Sequence, residues 1–154
     1  MLIPRINGLR IVLRLVSQHA VATAYDDALY RVDIGGHRYT LNTSSSLTHV
    51  EHVLADAACR SLTIITVDNP GSQKCARTTF TRHHSALTQQ LRELGIRFFA
   101  SAALAPDCDW PVEHGVAIAN IPLASAYHIN RRFDQHACVR ITQEQGVTLH
   151  WTVC

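Results

Sequence analysis

The chain has 154 residues, 47% of them hydrophobic and 17% charged, which is enough for one globular domain with its own core. This composition excludes a disordered or collagen-like chain. The formal net charge of +2 is too small to indicate a nucleic acid or a membrane surface as the binding partner.

Residues 1–24 are predicted to be an N-terminal extension of the main domain, which we assign to residues 25–154. Four aliphatic residues at alternate positions predict an amphipathic strand, added to the edge of the main sheet. They are Leu9, Ile11, Leu13 and Leu15. Because Arg14 interrupts the apolar run, the segment does not match an export signal or a membrane span.

A β-hairpin is predicted around Gly35-Gly36, because two glycines suit a tight turn with positive φ. Apolar residues alternate with polar ones on both sides of this turn, from Tyr30 to Leu41. Hydroxyls at 44–46 can cap a first helix, whose apolar spacing runs from Leu47 to about Arg60.

Residues 62–67 are β-branched and almost continuously apolar, which predicts a strand covered on both faces. The strand ends at the turn 68–72, and Ser72 is expected to cap a second helix. One stripe of that helix carries Phe80, Leu87, Leu91 and Leu94. Gly95 is predicted to end the helix in the left-handed conformation.

The remaining elements are predicted in a similar way. They are a strand at 96–99, a polar connection at 105–113, a strand at 116–121, a helix at 123–133 and strands at 137–141 and 147–153. The whole order predicts an α/β fold, with a mixed β-sheet of about seven to eight strands covered by three α-helices in a single domain. The strand-helix-strand units around 62–99 and 116–141 are expected to pair in parallel.

A binding site is predicted beyond the strand ends, where helix N-termini and loops meet in open α/β sheets. The loops after the two most apolar strands, 68–72 and 120–122, are expected to form its rim. The candidate residues from the first loop and the following helix are Asp68, Asn69, Ser72 and Arg77. The alternative is that this loop is a turn with a helix cap and nothing more.

The opposite wall of the site is predicted to consist of Asp109, Trp110 and Glu113. Partial burial near an aromatic ring can raise the pKa of a carboxyl group. An acidic surface loop anchored by the tryptophan is the alternative. A second candidate surface lies at the end of the third helix and consists of Arg131, Arg132, Phe133 and Gln135. It would recognise an acidic partner with Phe133 as the aromatic anchor, although helix-end cations alone also explain the arginines.

No catalytic residue, metal site or cofactor is predicted. His49 and His52, and the adjacent His83 and His84, lack a third ligand at a fixed spacing. Nucleophile-elbow, phosphate-loop and dinucleotide-binding motifs are absent from the sequence. The five cysteines form an odd set without a CxxC pair, so we expect reduced thiols and a cytoplasmic location.

Several of these motifs occur together in one family. They are Tyr30-Arg-Val, the loop 69–72, the helix end 91–95, Trp110-Pro111-x-Glu113 and Arg131-Arg-Phe-x-Gln135. From about Tyr25 to Trp151 the chain resembles the short bacterial proteins of domain-of-unknown-function family 3293. The resemblance implies a small single α/β domain and brings no established activity. The chain differs from the family pattern at Asp68, where a tryptophan is usual, and at Asp134, where a glycine is usual.

The leading functional hypothesis is a small non-catalytic binding protein, most concretely an immunity or antitoxin-like protein that binds and neutralises a partner protein toxin. Its scattered carboxylates would face a basic toxin surface. The alternative is an enzyme or a small-ligand-binding protein that uses the loop 68–72. Nucleic acid is the least expected partner, because the arginines are interleaved with acids. The oligomeric state stays open.

Overall fold

A computed structural model describes residues 27–68, 75–106 and 111–152. These residues form seven strands and three helices. The strands are β1 (Leu29–Ile34), β2 (His37–Leu41), β3 (Ser61–Thr66), β4 (Phe98–Leu104), β5 (Glu113–Ala119), β6 (Ala137–Thr142) and β7 (Gly146–Trp151). The helices are α1 (Leu47–Asp56), α2 (Arg77–Glu93) and α3 (Leu123–Arg132). The predicted class, a single α/β domain with about seven strands and three helices, is confirmed. The predicted N-terminal strand lies outside the described residues.

The seven strands form one sheet in the order β2-β1-β4-β5-β3-β6-β7. Each of the six pairings between described strands is antiparallel. The predicted parallel pairing is therefore wrong. In each strand-helix-strand unit the crossover skips one position, so that β5 lies between β3 and β4, and β3 lies between β5 and β6. From β3 to β6 the chain follows the split β-α-β-β-α-β arrangement.

Both faces of the sheet are covered, because the side chains of β3 alternate between two cores. Leu62 and Ile64 pack with α1 on one face, in a cluster that includes Val50 and Val53. Ile65 packs with α2 and α3 on the other face. All six residues of β3 are buried between its neighbours β5 and β6, which fits its predicted double burial.

Local signals in the sequence explain several element ends. Gly35 and Gly36 have φ of 56° and 82°, and they close the β1–β2 hairpin as predicted. Ser46 is the N-cap of α1, and its side chain accepts a hydrogen bond of 3.1 Å from the backbone N–H of His49. Gly95, with φ of 67°, follows the end of α2.

Helix α2 departs from its predicted boundaries and face. It begins at Arg77 after the N-cap residue Ala76, so Ser72 is not its cap. Leu94 is 64% exposed and does not belong to the buried stripe. The backbone N–H of Ile96 donates to Leu91 O (2.9 Å) in a Schellman arrangement, so Ile96 packs against the core in place of Leu94.

In the part of the chain that the structure describes, no helix is both long enough and apolar enough to cross a membrane.

Candidate functional site

Three loops meet at one edge of the sheet because the central strands are antiparallel. Thr66, at the end of β3, pairs with Gly115 near the start of β5. The segment before β6 reaches the same edge, since β6 also runs opposite to β3. We call this the Asp68 edge. It comprises Asp68, the start of α2, the start of β5 and residues 133–136.

The predicted partnership of the loop 120–122 with the loop after β3 is wrong. Leu62, at the beginning of β3, pairs with Ala119 at the end of β5, so Asn120 lies at the opposite edge of the sheet. There its side-chain Oδ1 accepts hydrogen bonds from the backbone N–H groups of Arg60 (2.8 Å) and Ser61 (3.3 Å). Asn120 therefore closes the turn into β3 and takes no part in the Asp68 edge.

A cavity of about 290 Å³ opens at the Asp68 edge, beside the N-terminus of α2. It is lined by Asp68, Cys75, Arg77, Phe80, Pro111, Val112 and His114. The predicted pair Asp68 and Arg77 is thus brought together at one concavity. The other residues predicted for this site, Asn69, Ser72, Asp109 and Trp110, lie outside the described residues.

The Asp68 carboxylate is held in place by donors from two other segments. Its Oδ2 accepts a hydrogen bond of 3.3 Å from the backbone N–H of His114. Its Oδ1 accepts a weaker one of 3.7 Å from the Cys75 thiol. The side chain is half-buried, so this charge has a defined direction at the cavity wall.

Gln135 fixes the backbone beneath Asp68. Its buried amide donates through Nε2 to the carbonyl oxygens of Asp68 (3.1 Å) and Phe133 (3.3 Å). Its Oε1 accepts from the Thr66 hydroxyl (3.1 Å). Because these bonds cross-link the segments that enter and leave the sheet, Gln135 acts as a positioning residue for Asp68.

Arg77 supplies a positive charge to the same cavity. It is exposed and is the first residue of α2. Asp33 and Arg38 form an ion pair, whereas Asp68 and Arg77 do not pair with each other. The cavity therefore carries two opposite charges held apart.

Aromatic and imidazole rings form the wall between α2 and β5. The ring of Phe80 lies with its centroid 5.4 Å from that of His84 and 6.2 Å from that of His114. Burial lowers the pKa of His84, and the neighbouring His114 and Arg92 lower it further. His84 is consequently uncharged at neutral pH and adds no positive charge beside Phe80.

Glu113 does not line the cavity, although its neighbour in the chain does. It is fully buried and pairs with Ala103, which belongs to the core on the α1 face. Side chains alternate along a strand, so Glu113 faces α1 and His114 faces α2. Of the predicted wall, Glu113 is therefore misplaced, and His114 lines the cavity instead.

The residues of the predicted surface at the end of α3 do not form one exposed patch. Phe133 is only 5% exposed and packs in the core beside His83, with 5.3 Å between ring centroids, so it is not an exposed anchor for a partner. Arg131 and Arg132 are exposed. The Arg132 guanidinium donates to Gln90 Oε1 and lies 5.0 Å from the centroid of the Phe133 ring.

Five lining residues were not predicted from the sequence: Cys75, Phe80, Pro111, Val112 and His114. Side chains alternate between the two faces of a strand, so residues 113 and 114 must point to opposite faces. This is the signal that would have shown that only one of them can line the cavity. Across residues 27–68, 75–106 and 111–152, no group of three or more metal-ligating side chains occurs.

A family model described as a protein of unknown function (DUF3293) matches residues 65–138. The predicted resemblance to this family is confirmed over these residues. The matched DUF3293 segment runs from the end of β3 to the start of β6, and it includes all the cavity residues and Gln135. It is shorter than the predicted resemblance over 25–151. No curated protein and no solved structure matches the chain.

The environments of two thiols predict different reactivities. Burial raises the pKa of Cys138 to about 11, whereas Cys75 is half-buried at the cavity. Since the thiolate is the reactive form, we expect a maleimide at pH 7.5 to label Cys138 only after unfolding and Cys75 in the folded protein. Peptide mass spectrometry after timed labelling measures both. Equal labelling of the two cysteines in the folded protein would contradict the burial of Cys138.

Proposed function

We propose that this protein is a non-catalytic small-molecule-binding protein whose ligand occupies the cavity at the Asp68 edge. The observation that carries the proposal is the Asp68 carboxylate, which two donors orient at the wall of a concavity. Concave sites with a few fixed polar groups among apolar side chains are the usual form of small-molecule sites. The cavity volume of about 290 Å³ suits a ligand of few atoms.

The hydrogen bonds around Asp68 support a ligand site that is formed in advance. The Gln135 amide donates to two backbone carbonyls, and the Asp68 carboxylate accepts from a backbone N–H. Such bonds hold the shape of a site before the ligand arrives, and pre-organisation of this kind raises affinity. Catalysis at the same cavity is the alternative that a turnover assay with the bound ligand would reveal.

Neutralisation of a basic protein toxin has less support from the described surface. The exposed carboxylates there are dispersed, and several already accept hydrogen bonds from neighbours. Asp33 pairs with Arg38, Glu51 accepts from Gln143, and Glu93 accepts from Gln89. A surface made to match a basic partner would concentrate such charges. The toxin-binding hypothesis and the cytoplasmic location both stay predictions.

A cavity-filling substitution tests the proposal. Val112 lines the cavity and is 40% exposed, so Val112→Trp places an indole in its mouth while the core stays intact. The probe is a library of small polar fragments, followed by amide NMR shifts of the full chain. We expect hits to shift the amides of Asp68, Phe80 and His114, and Val112→Trp to weaken their binding at least about tenfold.

The matched control is Leu47→Trp, which adds the same indole at a 52% exposed position on α1. Fragment binding should be unchanged in this variant. The proposal fails if no fragment shifts the cavity amides, or if Val112→Trp binds the hits as tightly as the unsubstituted chain.

A further inference from the structure

We infer that the ligand of the cavity is a small zwitterion that carries an ammonium group and a carboxylate, as an amino acid does; this inference rests on the proposed function. Asp68 would hold the ammonium group and Arg77 the carboxylate. The uncharged part of the ligand would contact the apolar lining residues.

The positive charge of the ligand is inferred from the unused hydrogen-bond acceptor positions of Asp68. An ionised carboxylate has about four acceptor positions. One hydrogen bond reaches each oxygen, from His114 N–H and from the Cys75 thiol. Asp68 is half-buried and forms no ion pair with the described cations, so its negative charge is only partly solvated. A partly desolvated carboxylate with free acceptor positions favours a cationic hydrogen-bond donor.

The negative charge of the ligand is inferred from the guanidinium of Arg77 and from its position at the start of α2. The guanidinium has five donors in a planar fork that matches a carboxylate. Arg77 begins a helix of 17 residues whose N-cap, Ala76, offers no side-chain acceptor. The first backbone N–H groups of α2 and the guanidinium thus present positive charge on the same side of the cavity.

The two charges point to one molecule because they share a cavity without neutralising each other. A ligand with only a positive charge would be repelled by Arg77, and one with only a negative charge would be repelled by Asp68. A zwitterion satisfies both groups at once. Phe80, Pro111 and Val112 supply the apolar contact surface between and beside the charges.

Matched sets of probes separate the contributions of the two charges. The first set is L-phenylalanine, phenethylamine and 3-phenylpropanoate, which share a phenyl group and differ in charge. The second set is L-valine, isobutylamine and 3-methylbutanoate, which share a smaller, aliphatic group. Each probe is titrated into the full chain while amide NMR shifts are recorded. We expect a zwitterion to bind at least about tenfold more tightly than either singly charged analogue.

Two variants assign each charge to its residue. Asp68→Asn should weaken binding of the zwitterion and of the amine, and should not weaken binding of the carboxylate analogue, which Asp68 repels. Arg77→Gln should weaken binding of the zwitterion and of the carboxylate analogue, and should not weaken binding of the amine, which Arg77 repels. Glu144→Gln and Arg82→Gln remove a carboxylate and a guanidinium from exposed positions outside the cavity lining and should change nothing.

The outcomes distinguish this inference from the function on which it rests. If neutral fragments occupy the cavity and neither zwitterion binds, the inference is overturned and the proposed function stands. The same holds if an amine binds as tightly as its zwitterion and Arg77→Gln has no effect. If neither fragments nor zwitterions shift the cavity amides, both are overturned.

Discussion

Replacement of Gly115 by alanine is expected to lower the free energy of unfolding by about 3 kcal/mol or more, at the upper end of the range for overpacking. A Cβ atom on Gly115 would lie 2.1 Å from the carbonyl oxygen of Ile65 and 2.7 Å from Cα of Thr66. Both are backbone atoms of β3, which pairs with β5 on one side and β6 on the other. Because β3 is hydrogen-bonded on both sides, it cannot move far away from an added methyl group.

Urea unfolding followed by circular dichroism measures this loss as a lower midpoint at an unchanged slope. Ser101→Ala is the matched control, since Ser101 pairs with Gly115 in the adjacent strand β4. Its hydroxyl is buried without a hydrogen-bond partner among the described residues, so its removal should change stability by no more than about 1 kcal/mol, towards greater stability. A loss below about 1 kcal/mol for Gly115→Ala would show that β3 and β5 do not approach so closely.

The close contact at Gly115 also bears on the site. Thr66, whose Cα faces Gly115, donates to the Gln135 amide that in turn holds the backbone of Asp68. A shift of β3 would therefore move the carboxylate at the cavity wall. The same antiparallel contact that positions the site is the one that requires a glycine.

The individual elements of this fold were largely predictable from local patterns, and the strand pairing was not. The apolar run of β3 correctly predicted a strand buried on both faces. Double burial is commonest in parallel sheets, which led to the wrong pairing. Here α1 covers the second face, so an antiparallel strand is buried just as fully. No feature within β3 itself distinguishes the two arrangements.

The grouping of Asp68 with Arg77 at one cavity could be predicted because the two residues lie near each other in the chain. Asp68 and Arg77 lie on either side of one loop. The end of an apolar strand and the start of a helix mark this loop in the sequence. Val112 and His114 come from a distant segment, and only the pairing of β5 with β3 brings them to the cavity. Phe133 was misjudged because an aromatic residue after two arginines has the same local pattern whether it is exposed or buried.

The second large effect is expected for Leu87→Ala, which should lower the free energy of unfolding by about 2–5 kcal/mol. Leu87 is 1% exposed and packs from α2 onto the sheet, in the cluster that contains Ile65 and Val116. Alanine would leave a cavity between helix and sheet that neighbouring side chains fill only partly, so lost contacts add to the lost transfer free energy.

Leu94→Ala provides the control for Leu87→Ala, because it makes the same substitution at the end of the same helix, where the side chain is exposed. Its effect should stay within about 0.5 kcal/mol. Urea unfolding of both variants under the same conditions compares them directly. Similar losses for the two leucines would mean that α2 does not turn at Gly95 as described and that Leu94 belongs to the core. A small loss for Leu87→Ala alone would mean that α2 presents a different face to the sheet, and the cavity at its N-terminus would then have different walls.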